Sequence, residues 1–108
     1  MTLLKLFQAG VPMLVGSDAN GSFGTFPGDI HDELRLWVEA GIPPAEVLLS
    51  VTARAARLLQ ERPGFGTIEV GKSADLLLVN GNPLTSIEDT GNIAMVMVGG
   101  RQLERLAP

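Results

Sequence analysis

The chain has 108 residues, of which 45% are apolar and 19% charged, and its formal net charge is −4. That length suits one modest domain with a real core, and the composition excludes a disordered tail. The negative charge argues against a nucleic-acid partner or an anionic membrane partner. The absence of cysteine excludes disulfides and thiolate metal sites, and it fits a cytoplasmic protein.

The sequence predicts neither a signal peptide nor a membrane span. The apolar start at residues 1–7 is too short, before Gln8 and Gly10, to contain a signal-peptide core with its cleavage site. No apolar run approaches the roughly 20 residues that a membrane helix needs. We therefore expect no membrane partner.

The first part of the chain is predicted to contain a helix followed by a buried strand. Apolar residues at 3–7 lie close to helical spacing, and Gly10 is expected to end that helix. The apolar run at 11–15 predicts a strand buried on both faces, as in parallel α/β sheets. Polar residues follow at its carboxyl end, among them Asp18.

Three more helices are predicted to follow a glycine-rich loop at residues 19–28. Asp29 is expected to cap the first of them and Gly41 to end it. Pro44 suits the first position of the second helix, and Thr52 is expected to cap the third. The first helix has one apolar face, formed by Ile30, Leu34, Trp37 and Val38. Trp37 is expected to be a core residue, and the alternative is a platform for a ligand.

After residue 63 the composition changes from helical to extended. Turns are predicted at 71–72 and 80–83. Strands are predicted at 66–70, at 76–79 as a buried strand, at 93–98, and after a Gly99-Gly100 hairpin turn at 101–103. The chain thus divides into an α/β region over 1–63 and a small β region over 64–108.

Three ordered motifs cover most of the chain. They are GVPMLVGSDA at 10–19, EAGIPPAEVL at 39–48 and GTIEVGKSADLLLV at 66–79, with NPL and VGGR close behind. In this order and spacing they resemble the C-terminal portion of a metal-dependent hydrolase of the amidohydrolase superfamily. The resemblance is to the imidazolonepropionase and prolidase-like branch.

The resemblance implies a (β/α)8 barrel with a small β-sandwich built from both ends of the chain. Residues 1–63 would match the end of the barrel, and residues 64–108 the C-terminal strands of the sandwich. A complete barrel takes roughly 250 residues, so the fold class implied is α/β with an incomplete barrel. The complete enzyme would hydrolyse C–N or related bonds of a small-molecule substrate, and this chain alone is expected to be inactive.

The resemblance marks Asp18 as the catalytic residue. In the family, the aspartate at the end of the last barrel strand binds a divalent metal, expected to be zinc, and takes a proton from the attacking water. A metal lowers the pKa of bound water towards about 7, and a nearby carboxylate then accepts the proton. The alternative role for Asp18 is to cap a turn over residues 19–21.

Asp18 is not expected to hold a metal in this chain alone. A catalytic zinc site needs about three protein ligands, usually rich in histidine. The family supplies a His-x-His pair, further histidines and often a lysine from earlier strands, and this sequence contains none of those segments. We therefore expect no cofactor in the isolated chain.

His31 is the only histidine and lies in the first turn of a predicted helix, beside Asp32 and Glu33. One interpretation is a solvated helix residue, and the other is a substrate-binding residue above the metal site of a complete enzyme. Arg54 and Arg57 are expected on a solvated helix face. Asp75, in the SADL part of the third motif, is expected to fix a turn.

The glycine-rich loop at 19–28 is a candidate phosphate loop by composition alone. Its spacing matches neither a P-loop nor a dinucleotide fingerprint. We therefore expect a flexible loop, which in the complete enzyme implied by the resemblance would lie over the active-site mouth.

A second hypothesis is that the chain is a non-catalytic, self-associating α/β module. A barrel strand at 11–15 without neighbours would have unpaired edges, which invite pairing with another chain. Exposed apolar surface would act in the same direction. Under either hypothesis we predict a homodimer or a larger assembly.

Overall fold

The computed structural model describes residues 2–16, 29–59 and 64–104, with the side chain of residue 29 left out. The elements in those ranges are α1 (Thr2–Gln8), α2 (Asp29–Glu39), α3 (Pro44–Ser50), α4 (Ala53–Leu59), β1 (Leu76–Val79), a 3-10 helix (Ile87–Gly91), β2 (Ile93–Val98) and β3 (Arg101–Leu103). The strands form one antiparallel sheet in the order β1-β2-β3. No helix in these ranges is both long and apolar enough to cross a membrane.

The predicted helices are confirmed, and two local signals set the junction between α2 and α3. Gly41 follows the end of α2 with a φ of +108°, a backbone conformation that glycine adopts without the penalty of a Cβ. Pro44 occupies the first position of α3, where its missing N–H is not needed. A Cβ at Gly41 would lie 3.1 Å from Cδ2 of Leu4, so α1 packs directly on this junction.

The core lies between α2, α3 and the 3-10 helix. Its buried apolar side chains are Leu34, Trp37, Ile42, Val47 and Ile87. Four of these belong to the helical region and one, Ile87, comes from the 3-10 helix beyond residue 63. The prediction that Trp37 is a core residue is therefore confirmed.

The predicted buried strand at 11–15 is not a strand among the described residues. The segment 11–16 has no regular secondary structure, and Val11 and Leu14 are exposed. Met13 and Val15 pack against the core cluster, as alternate residues of an extended chain do when one face is covered. No described strand pairs with this segment.

The predicted strand at 66–70 is also wrong. Ile68 is 87% exposed and Val70 is fully exposed, and the backbone turns where the N–H of Lys72 donates to the carbonyl of Glu69 at 3.1 Å. Thr67, Ile68 and Val70 are residues that favour strands, but a strand needs a partner. The described sheet begins only at β1.

The β1 strand is confirmed at its predicted position, but its predicted burial is wrong. Leu77 and Leu78 are both exposed, each with about half of its surface accessible. Among the described residues, β1 is an edge of a three-stranded sheet, so its apolar side chains have few described neighbours. The continuous apolar run at 76–79 therefore predicted more burial than this strand has.

The hairpin between β2 and β3 is confirmed and is anchored by Asp75. Gly99 and Gly100 both have positive φ, the requirement of a type I′ turn. The Gly99 N–H donates to Oδ1 of Asp75 at 2.8 Å, and the Gly100 N–H donates to the carbonyl of Ala74 at 3.1 Å. The prediction that Asp75 fixes a turn is confirmed.

The turn predicted at 80–83 is confirmed, and the Asp89 carboxylate organises it. Oδ2 of Asp89 accepts the N–H of Asn82 at 2.9 Å, and Oδ1 accepts from Nδ2 of Asn92 at 3.0 Å. A Cβ at Gly81 would lie 2.2 Å from Asp89 Oδ2, so only glycine leaves room for that carboxylate.

Thr52 does not act as the predicted side-chain cap of α4. Its hydroxyl donates to the carbonyl of Leu48 at 2.7 Å, which lies in the preceding helix. The predicted capping side chain thus joins the end of α3 to the start of α4. Its backbone carbonyl still accepts the N–H of Ala56 at 3.0 Å.

Candidate functional site

The segment 11–16 leads directly to the predicted catalytic residue. Asp18 itself, and the glycine-rich loop at 19–28, lie outside the described residues. Met13 and Val15 fix one face of the segment on the helical core. Among the described residues, the backbone groups of 13–16 make no hydrogen bond to another segment, so no described segment pairs with either edge.

The described side chains do not by themselves form a metal site. Across residues 2–16, 30–59 and 64–104, no three His, Asp or Glu side chains are grouped so that they could hold a metal ion. A catalytic zinc normally has three protein ligands. A metal therefore does not fit the described residues taken alone.

His31 is half-buried and hydrogen-bonded, so the interpretation as a fully solvated helix residue is wrong. Its Nδ1 lies 2.9 Å from Oγ1 of Thr90, a residue of the 3-10 helix that is only 5% exposed. This contact joins the first turn of α2 to the region beyond residue 63. The substrate-binding role of His31 stays a prediction.

Nothing in the sequence pointed to Thr90, which contacts the predicted site residue His31. The two residues are 59 positions apart, and no motif connects them. Threonine is common in turns and short helices, so its type gave no signal. Only the packing of the 3-10 helix against α2 brings the hydroxyl to the imidazole.

A groove of about 440 Å³ lies between the 10–13 segment and helices α3 and α4. Three of its polar residues, Glu46, Ser50 and Arg54, make internal contacts. Arg54 Nη1 lies 2.6 Å from Glu46 Oε2, and the Ser50 hydroxyl donates to the Glu46 carbonyl at 2.9 Å. Arg54 is thus ion-paired and partly covered, in contrast to the predicted solvated face, while Arg57 is exposed as predicted.

Known proteins resemble this chain in both sequence and structure. An imidazolonepropionase from Aeromonas hydrophila subsp. hydrophila is 40% identical over 84 residues, which cover 72% of this chain and 19% of that protein. The structure of a Xaa-Pro dipeptidase with methionine bound in its active site matches with a TM-score of 0.86 and 34% identity. That match covers 96% of this chain and 25% of that one.

A putative prolidase from Bifidobacterium longum matches with a TM-score of 0.86 and 37% identity, over 98% of this chain and 26% of that one. The chain therefore spans about a fifth of the curated imidazolonepropionase that it matches and about a quarter of these two structures. The described helices and the three-stranded sheet agree with those α/β structures. The amidohydrolase family profile matches residues 1–103, almost the whole sequence, and the chain therefore belongs to the amidohydrolase family.

Proposed function

We propose that this chain is the C-terminal portion of a metal-dependent amidohydrolase and is inactive without the remainder of the barrel. The observation that carries the proposal is the family match over residues 1–103 in a chain that spans only about a fifth to a quarter of its relatives. The proposed reaction is hydrolysis of a C–N or related bond in a small molecule. A cytoplasmic location stays a prediction.

In this proposal, residues 1–63 are the end of the barrel and residues 64–108 are strands of a composite sandwich. The alternation along the 11–15 segment supports the first part, because Met13 and Val15 are packed against helices while Leu14 is exposed. A barrel strand has helices on one side and the barrel interior on the other. Leu77 and Leu78 are consecutive strand residues and so lie on opposite faces of the sheet, and both are exposed. Whichever face a sandwich covers, one of these apolar side chains would be buried there, which supports the second part.

Asp18 is the proposed catalytic residue, and the support for it is its place in the family motif at 10–19. When bound in the complete enzyme, the divalent metal, which we expect to be zinc, would supply an activated water. Asp18 would contribute a carboxylate that can bind the metal and accept a proton. His31 is the proposed substrate-binding residue.

The first test is calorimetric titration of the purified chain with zinc at neutral pH. We expect no stoichiometric binding, because the described residues hold no group of three ligands. Tight one-to-one binding that is lost in Asp18→Asn would contradict the proposed inactivity. It would mean that association of chains completes a site.

The second test is a chimaera in which this chain replaces the matching segment of the Aeromonas imidazolonepropionase. Asp18→Asn should lower the kcat/KM of the chimaera by at least about 10²-fold, the lower end of what a general base contributes. Asp32→Asn is the matched control, because Asp32 is an exposed acid on α2. Equal activity in the two variants would refute the role of Asp18.

The alternative function is a non-catalytic module that associates with copies of itself. The exposed apolar side chains of Ile68, Val70 and Leu84 favour it, as do the backbone groups of residues 13–16, which make no hydrogen bond to another described segment. Light scattering coupled to size exclusion should then show a dimer or a larger assembly. A monomer at high concentration would contradict the self-association that we predict under either hypothesis, and with an active chimaera it would leave only the hydrolase function.

A further inference from the structure

The contact between His31 and Thr90 is part of a chain of two hydrogen bonds. Nδ1 of His31 lies 2.9 Å from Oγ1 of Thr90. The same Oγ1 lies 3.0 Å from the carbonyl oxygen of Ile87, within the 3-10 helix. Thr90 is buried, so water is largely excluded from the hydroxyl.

A hydroxyl carries one proton, and this limits how the two contacts can both be hydrogen bonds. The carbonyl of Ile87 can only accept, so the hydroxyl proton of Thr90 must point to it. Oγ1 then accepts from His31, which requires a proton on Nδ1. With the proton on Nε2 instead, the hydroxyl would have to donate to Nδ1. Two acceptor oxygens would then face each other at 3.0 Å with no proton between them.

We propose that Thr90 is a positioning residue for His31, which it locks in the Nδ1–H tautomer so that Nε2 is an unprotonated acceptor. A neutral imidazole carries a proton on one nitrogen only, and the partner of one nitrogen fixes the state of the other. Among the described residues, Nε2 has no hydrogen-bond partner. The free lone pair suits a ligand that donates a hydrogen bond, such as an amide or an ammonium group.

The ligand assigned to Nε2 rests on the proposed function, in which His31 binds substrate, whereas the tautomer does not. The two parts therefore have separate tests. The tautomer can be measured in this chain without any substrate or metal. The ligand can be measured only in an active chimaera.

The tautomer test is long-range ¹H–¹⁵N correlation NMR of the histidine ring, at about pH 8.5, well above the ordinary pKa of an imidazole. The chain contains one histidine, so the ring signals need no assignment. We expect a protonated Nδ1 and an unprotonated Nε2 as the dominant form. A dominant Nε2–H form in the unchanged chain would overturn the proposal.

Two variants of Thr90 test whether its hydroxyl is the cause. Thr90→Val keeps the side-chain shape and removes the hydroxyl, so the ring should shift towards Nε2–H. Thr90→Ser restores a hydroxyl and should restore Nδ1–H. A ring that keeps Nδ1–H in Thr90→Val would show that another group fixes it. If Thr90→Val does not fold, the unchanged chain and Thr90→Ser still decide, since both must show Nδ1–H.

The ligand test uses the same two variants in the chimaera. Thr90→Val should raise KM about tenfold with a smaller effect on kcat, the loss expected from one misplaced hydrogen bond. Thr90→Ser should stay near the unchanged chimaera. An unchanged KM in Thr90→Val, with the tautomer shift observed, would refute the ligand and leave the positioning role standing. An inactive chimaera that keeps the Nδ1–H tautomer would count against the proposed function alone.

Discussion

The helical region and the sheet region of this chain are stabilised in different ways. The helical region contributes four of the five buried apolar side chains among the described residues, so burial of apolar surface holds it together. In the sheet region, the strands contain no fully buried side chain among residues 76–79, 93–98 and 101–103. Carboxylates that accept backbone N–H groups hold its turns instead, at Asp75 and Asp89.

This difference indicates which of the two regions depends on the other for its stability. A three-stranded sheet needs a hydrophobic face packed on something to be stable. Here the 3-10 helix supplies that connection, since Ile87 is buried in the helical core. The sheet therefore depends on the helices, whereas the helical core requires only one side chain from beyond residue 63.

The largest expected effect comes from a matched pair of isoleucines, one in each region. Ile42 is 1% exposed and Ile68 is 87% exposed. Ile42→Ala should lower the free energy of unfolding by about 2–5 kcal/mol through lost burial and a cavity. Ile68→Ala should change it by no more than about 0.5 kcal/mol.

Urea denaturation followed by the fluorescence of Trp37, the only tryptophan, measures both variants. A large loss of unfolding free energy in Ile68→Ala would contradict the expected difference between the two regions. It would show that the 66–70 segment is covered in solution, as self-association predicts. Repeating the measurement at several protein concentrations would then identify that association.

The next effect concerns the junction at which the sheet region meets α4. A Cβ at Gly66 would lie 2.4 Å from Cβ of Ala56 and 3.3 Å from the carbonyl oxygen of Thr52. Gly66→Ala should therefore cost about 1–3 kcal/mol for overpacking, in addition to about 1–2 kcal/mol for its positive φ.

Gly64→Ala is the matched control for that junction. Gly64 also has a positive φ, of +85°, but no described atom beyond its chain neighbours lies within 4 Å of its added Cβ. The control thus shares the backbone strain and lacks the clash. Equal melting temperatures for the two variants would mean that the 64–66 segment is not packed on α4.

A smaller effect is expected at the hairpin anchor. Asp75→Ala removes the acceptor of the Gly99 N–H and should cost about 0.5–1.5 kcal/mol. Asp75→Asn keeps a side-chain oxygen and should cost less. Hydrogen exchange of the Gly99 amide should accelerate in Asp75→Ala, and unchanged exchange would show that the hairpin does not need this carboxylate.

The smallest effect is a pH dependence at the exposed turn of residues 67–72. Hydrogen bonds from Lys72 and then from Thr67 hold the pKa of the Glu69 carboxyl below its ordinary value near 4.5. Because the pKa of Glu69 is lower in the folded state, the ionised carboxylate contributes to folding stability when the pH is above the pKa of the unfolded state. This contribution to stability is lost as the pH falls through the pKa of the folded state. Full exposure keeps the contribution small.

An NMR titration of the Glu69 carboxyl measures this pKa directly. In Lys72→Gln the pKa should rise towards its ordinary value, because the ammonium that lies 2.7 Å from Oε2 is gone. Arg35→Gln is the control, since Arg35 is paired with a different carboxylate, that of Glu39. A rise in the control and none in Lys72→Gln would contradict the assignment.

The sequence predicted the elements that local backbone chemistry determines. Gly41 and Pro44 mark the end and the start of helices by what their backbones permit, and the structure agrees. The turn at 80–83 and the Gly99-Gly100 hairpin were predicted on the same grounds. These features depend on residues that are neighbours in the chain, so a single sequence is sufficient.

The sequence failed where the outcome depends on partners distant in the chain. The 11–15 and 66–70 segments have strand-like composition but no described strand beside them. The contact of His31 with Thr90 spans 59 positions and follows from packing alone. Asp18 was predicted from family resemblance and not from any local physical signal, and it remains a prediction.

The burial of Ile87 between the helices limits how the sheet region can be recombined between members of this family. A recombination point at residue 63 would divide the chain where its composition changes. It would also separate the 3-10 helix from the face of α2 that receives it. An engineer who grafts the sheet of one relative onto the helices of another should therefore transfer α2 with it, because the unit of exchange is the pair and not the sheet.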